Sequence, residues 1–348
     1  MEGVAILAPS GNDTTGAVGT STTPPSPYAT TQEAINDGAK ALILMPKNGS
    51  YGNISVSSNL LLTIFSHGYG NSANQIGSVS TNGFALALYV SSARETLTIG
   101  SISTKVAGSN SGQAILRNVW CLAQTITEGV DATSPGQSGF NGGTLNAEDC
   151  RFGLAVSTNG GTGMSGDSLQ AGGGGGQAGE IIAKRCRFDS SVSHSGSNGG
   201  VGGAGDSETE SPAGGAGGAA GPATFEDCVF ASEVTGNGGA GGNCGEDGGG
   251  GFGSHGDGGE AATASMIRCT GEPQVNLIGG VSSGTVGSGG NLTLVESYVG
   301  NIETPNGNAE ASGSFNAKYS SFGTTTNTAT TSGQFVVANG SPEVTGGA

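Results

Sequence analysis

The sequence predicts an all-β solenoid, a parallel β-helix wound from one chain, and three observations predict it. A short motif recurs about a series of anchor residues. The apolar residues gather in runs of strand length. Glycine makes up 70 of 348 residues, far above the usual share of about 7%.

The motif justifies the strands. Cys150 sits in "NAEDCRF", Cys186 in "IAKRCRF", Cys228 in "TFEDCVF" and Cys269 in "SMIRCTG". Copies without the cysteine surround Val119 ("ILRNVWC"), Ser297 ("TLVESYV") and Ser320 ("NAKYSSF"). Small or apolar residues stand five and three places before each anchor and usually two after it, as Ala223, Phe225 and Phe230 do around Cys228. A spacing of two puts both side chains on one face of a strand. The step of three between the pairs marks a bend. Val156, Val192 and Val234 add a third strand four places further on. Strand, bend, strand, bend, repeated, is a winding pattern.

The chain reads as one domain, 1–348. Residues 1–60 form an N-terminal cap and first coil, 61–322 the coils, and 323–348 a C-terminal cap or tail. The runs "ALILM", "LLLTIF" and "FALALYV" supply buried strands ahead of the anchors. Successive anchors lie 31, 36, 42, 41, 28 and 23 residues apart. The long intervals hold glycine-rich insertions near 159–179, 198–221 and 237–260, each opened by "NGG" at Asn159, Asn198 and Asn237. They therefore leave consecutive coils at one corner and stack. Two packings satisfy this: a polyglycine-II-like layer of extended threefold helices, or irregular loops laid on one another.

Stacking also accounts for cysteines and charges. Equivalent positions on neighbouring coils lie about 4.8 Å apart. Cys150, Cys186, Cys228 and Cys269 then form an inward core column of free thiols, with Cys244 apart in a loop; the spacings match no zinc pattern. Asp149, Arg185, Asp227, Arg268 and Glu296, just before the anchors, alternate in sign and read as a structural charge ladder that fixes register. Glu148, Lys184 and Glu226 alternate in the same way one place earlier.

Near the N-terminus, Gly11-Asn12-Asp13, Gly19-Thr20, Pro27-Tyr28 with Thr30, and the stretch Pro46 to Tyr51 resemble the opening of pectate-lyase-like, right-handed β-helix proteins. The turn departs from the family pattern, reading "PKNGSY". Thr30 and Glu33 form a capping box and Gly38 a stop for a short helix over the first coil. The resemblance implies right-handed winding. It implies no single activity, because this fold carries lyases, hydrolases, adhesins and virion spikes.

Composition narrows the function. The formal net charge of −16 repels phosphate backbones and anionic membranes, so neither nucleic acid nor membrane is an expected partner. No apolar run reaches a membrane span, and the N-terminus lacks the basic region of a signal peptide. A lyase-type calcium cluster is absent from the register, so no metal, cofactor or catalytic residue is assigned. Asp189 and Glu233 are the loose carboxylate possibilities, Arg151 and Arg187 share a column, and Trp120 points outward. The toxin-type Gly-Gly-x-Gly-x-Asp calcium repeat is missed throughout.

The binding candidates lie on the loop edge: Asn159, Asn198, Asn237, Asp206, Glu208, Asp247 and Asp257. Glycine-rich stacked loops also resemble those of certain phage tail-tip adhesins. The expectation is a non-enzymatic structural or receptor-binding protein of a virion exterior, a homotrimer with other virion proteins and cell-surface polysaccharide as partners. The alternatives are a polysaccharide lyase or hydrolase of the β-helix type and a bacterial surface adhesin or ice-binding protein, extracellular or at the cell surface. The last would need regular threonine rows on one face.

Overall fold

The computed structural model describes residues 2–47, 49–66, 74–92, 97–204, 211–245, 253–271, 273–303, 315–318, 320–322, 325–327, 337–338 and 344–346. Within these the chain is nearly all β. One parallel sheet of twelve strands runs in chain order from Val4–Leu7 and Ala41–Leu44 to Phe315–Lys318 and Val337–Ala338. Each repeat places one strand there, for example Leu145–Glu148, Ile181–Lys184 and Ala223–Glu226, paired in register.

The other strands of a repeat are short. Trp120–Cys121, Arg151–Phe152, Arg187–Phe188 and Val229–Phe230 make one parallel row. Thr125–Ile126, Val156–Ser157, Val192–Ser193 and Val234–Thr235 make the next. In the preceding repeat these two rows are one continuous strand, Leu97–Ser103, which pairs with Trp120 through Thr98 and with Thr125 through Ile102.

The bend of the motif is a single left-handed residue. Asn118, Asp149, Arg185, Asp227, Arg268 and Glu296 have φ between 48° and 56°. One residue in this region reverses the in–out alternation, which turns the step of two into a step of three. Apart from glycine, asparagine and aspartate visit it most readily, so the arginines and glutamate carry backbone strain of about 1–2 kcal/mol each.

Inward positions stack like on like. Phe188 lies between Phe152 and Phe230, ring centroids 5.2 and 5.1 Å apart and nearly parallel, with Phe225 edge-on to Phe230 at 5.1 Å. Beside them, Cys150, Cys186, Cys228 and Cys269 are buried and unbridged. Cys150, Cys186 and Cys228 donate to the carbonyls of Glu148, Lys184 and Glu226, two residues earlier, at 3.2, 3.3 and 3.3 Å, and the neighbouring thiols of Cys150 and Cys228 together with burial push the pKa of Cys186 well up. Cys269 donates likewise to the Ile267 carbonyl at 3.5 Å.

The glycine insertions form a two-layer slab with a three-residue hydrogen-bond period. Within the 158–179 hairpin, Gly173, Gly176 and Gly179 donate to Met164, Gly161 and Thr158 at 2.9, 2.7 and 2.8 Å. Toward the next repeat, Gly172, Gly175 and Ala178 donate to Ala213, Ala216 and Ala219. Gly200 and Ser197 reach back to Gly173 and Gly176. Two of every three amides are thus bonded backbone to backbone, in two directions. The slab is sealed where it leaves the strands. Thr104, Thr127 and Thr158, all buried, donate their hydroxyls to the carbonyls of Gly112, Gly143 and Gly179. His194 continues this file, its Nδ1 2.7 Å from the Gly221 carbonyl and its ring filling the space left by side-chain-free Gly236.

The N-terminal cap is built around Asp13. Its carboxylate accepts from the amides of Ala29 and Thr30 at 2.9 and 3.0 Å and from the Thr30 hydroxyl at 3.0 Å. Thr30 in turn caps the helix Thr31–Asn36, and Gly38 (φ 88°) follows its end. Thr31 and Ala34 bury against the first repeat, where Tyr51 donates to the carbonyls of Met45 and Leu7 at 2.7 and 3.2 Å.

Candidate functional site

The slab edge is engaged with itself. At several triplets the third amide is taken by a side chain of the preceding repeat. Asn159 Oδ1 accepts from Ser195 N at 2.7 Å, Asn198 Oδ1 from Ala240 N at 2.8 Å, and Asn237 Oδ1 from Ile278 N at 2.9 Å. Asp257 Oδ1 does the same for Thr285 N at 3.1 Å. These four expected binding residues therefore complete the lattice, because an edge amide left without an acceptor is costly. Asp206, Glu208 and Asp247 lie outside the described residues. His255 sits on this edge beside Cys244, whose amide lies 3.2 Å from His255 Nδ1.

The charge row divides into two clamps rather than one continuous file. Arg185 bonds Asp149 at 2.7 Å and also Glu148, and Arg268 bonds Asp227 at 2.6 Å and also Glu226. Each arginine reaches back one repeat along the stack. Glu296 makes no ion pair among the described residues. Hydrogen bonds from Arg185 hold Asp149 below the usual carboxylate range, those from Arg268 do so for Asp227, and Lys184 with Arg268 do so for Glu226.

Between this row and the next lies a groove of about 340 Å³, lined by Trp120, Arg151, Arg187, Val229, Asp149 and Leu97 among others. Its floor follows from register: Trp120, Arg151, Arg187 and Val229 are outward partners on adjacent strands. The Arg151 guanidinium lies 4.9 Å from the Trp120 ring centroid, a cation–π contact. Asp189 follows Arg187 by two residues, so both project to the same side. It bonds Arg151 Nε at 2.8 Å and Arg187 Nε as well. Partial burial raises the pKa of Asp189, but the two arginine hydrogen bonds outweigh it and hold the group ionised. An ionised carboxylate shared by two arginines is an organiser, unsuited to protonate a leaving group. Glu233 is exposed on the neighbouring row.

Sequence phase places Trp120 and the arginine column. The clamp by Asp189 is the part that the motif alone does not mark, although the "RFD" spacing carries it. The outward row of the third strand reads Ile126, Ser157, Ser193, Thr235, Asn276 and Glu303, so the described threonine file is internal. Among the described residues no group of three or more metal-ligating side chains is close enough to hold an ion. Among the described residues no helix is long and apolar enough to cross a membrane. The chain matches no family model, no curated protein and no solved structure.

Proposed function

We propose that the chain is a right-handed, single-stranded parallel β-helix carrying a polyglycine-II-like slab, and that it acts without catalysis as a structural or receptor-binding protein of a phage particle exterior. The observation that carries this reading is the slab lattice. Its threefold period, with backbone bonds in two directions and side-chain acceptors at several of the remaining amides, supports a packing of extended threefold glycine helices. A slab so tied presents rigid faces at one corner of the solenoid, which suits display and recognition. The N-terminal resemblance and the charge of −16 support the same setting. Arginine-bound carboxylates at the groove favour a binding role over bond cleavage. Other virion proteins are the proposed partners, and a homotrimer is the proposed assembly, as is common for spikes of this architecture.

Two measurements test it: solution mass by light scattering, and detection of the chain in purified particles. A trimer accessible to antibody on intact particles is the expected result. A monomer absent from particles overturns the reading.

A further inference from the structure

We infer that the groove between Trp120 and Val229 binds an anionic saccharide, gripping its carboxylate or sulfate between Arg151 and Arg187. This names the ligand class for the recognition role proposed above and rests on that reading.

Asp189 holds both guanidinium groups by the same edge. With each Nε–H committed to it, the Nη amino groups of Arg151 and Arg187 have no hydrogen-bond partner among the described residues. Those side chains are 41% and 55% exposed. Two forks side by side on adjacent strands, fixed by a common carboxylate, are prepared for an oxyanion that accepts from both. The charge count agrees: two arginines against one aspartate leave one positive charge. Asp149 and Asp227 do not cancel it, because Arg185 and Arg268 already hold them. The remaining acids of the chain act across solvent, where screening sets in beyond about 10 Å at 0.1 M salt.

The walls choose the rest of the ligand. Trp120, Leu97 and the exposed side chain of Val229 form an apolar flank beside the arginines. A pyranose ring carries a C–H face for such a flank and hydroxyls for the polar rim of Asn118 and Asp149. The volume of about 340 Å³ suits a mono- or disaccharide unit. A nucleic acid strand would bring many phosphates against a net charge of −16.

Trp120 is the sole tryptophan, so intrinsic fluorescence reports from this groove. The full chain is titrated with an oligogalacturonate, a sulfated oligosaccharide, a neutral oligosaccharide of equal length, and inorganic sulfate. At least one anionic sugar gives a saturable change, and the neutral sugar binds about tenfold more weakly or worse. Arg187→Gln loses about tenfold in affinity or more, and Arg187→Lys loses less. Lys105→Gln, which removes the separate Lys105–Glu128 pair, binds as the parent does. Whether carboxylate or sulfate binds more tightly identifies the source of the anion.

The inference is overturned by any of four results: no saturable change with either anionic sugar, equal binding of the neutral sugar, an Arg187→Gln variant that binds as the parent, or inorganic sulfate binding as tightly as the sugars. Unfolding midpoints of both Arg187 variants separate lost contacts from lost fold. A chain that sits on particles yet ignores every anionic sugar loses this inference and keeps the reading above. A chain that binds but is absent from particles does the reverse.

Discussion

Adding one methyl group at neighbouring glycines gives a sharp test of the slab. At Gly174 a Cβ has ordinary contacts, 3.5 Å from the Ala216 oxygen and 3.6 Å from Ser138 Oγ. At Gly175 it would stand 2.6 Å from the Ser197 carbonyl carbon and 2.8 Å from the Gly218 nitrogen, with the Ser197 oxygen nearer still. Those atoms form the 2.7 Å Gly218–Ser197 hydrogen bond between layers. Making room means parting that bond and displacing the backbone. Overpacking costs about 1–3 kcal/mol and a buried amide left unpaired about 1–3 kcal/mol, so Gly175→Ala is expected to destabilise by about 2–6 kcal/mol. Gly174→Ala narrows only the unfolded ensemble and is expected to be neutral or to stabilise by up to about 1 kcal/mol. Urea midpoints of the two variants, read by circular dichroism and by protease resistance of the slab, measure the difference. Equal midpoints, or a larger loss at Gly174, would refute the threefold packing.

Four further outcomes follow from particular residues. His194 is fully buried, and desolvation pushes its pKa down to about 4 from an ordinary 6.5. Its folded form is neutral, so its contribution is complete above about pH 6.5 and is lost as pH falls toward 4, about 3 kcal/mol in all; urea midpoints across that window should slope, and His194→Thr should flatten the slope. The depressed carboxylates of Asp149, Asp189, Asp227 and Glu226 act in a lower window, their stabilisation present above about pH 4 and lost below it. Glu296→Asn installs at a left-handed corner the residue that Asn118 supplies in an earlier repeat, where its Nδ2 donates to the Val90 carbonyl at 2.9 Å; it should raise stability by about 1 kcal/mol in thermal unfolding. Cys244 is the one cysteine that is not buried, so a maleimide reagent should label one thiol in the native chain and six after denaturation, as counted by mass spectrometry.

The repeat was legible because burial dictates it: positions such as Ala223, Phe225, Cys228 and Phe230 face inward, and burial constrains residue type. The left-handed corner was hidden. Arginine and glutamate share it with asparagine and aspartate, and nothing in an arginine announces a positive φ; Asn118, Asp149 and Asp227 were the hints. In the slab the signal existed in another guise. Lack of a proline-bearing Gly-X-Y repeat excludes collagen, yet "NGGVGGA" and "AGGAGGA" place a side chain every third residue, at Asn198, Val201 and Ala204 and at Ala213, Ala216 and Ala219. The work of Asn198 Oδ1 was not readable, since its partner, the amide of Ala240, is set by the length of an insertion. At the groove, strand phase showed Trp120 and the two arginines, whereas their common carboxylate emerges only when rows 151 and 187 are laid side by side.

The slab also acts as a ruler for how such a chain can lengthen. From Cys150 to Cys186 is 36 residues and from Cys186 to Cys228 is 42, a difference of 42 − 36 = 6. From Cys228 to Cys269 is 41, one fewer, yet Gly239 and Gly242 still donate to Gly218 and Gly215 in the same step of three. A change within a bonded leg in other than threes would rotate the later amides of that leg away from their acceptors. Growth of each leg is therefore counted in threes, whatever the total length of the hairpin.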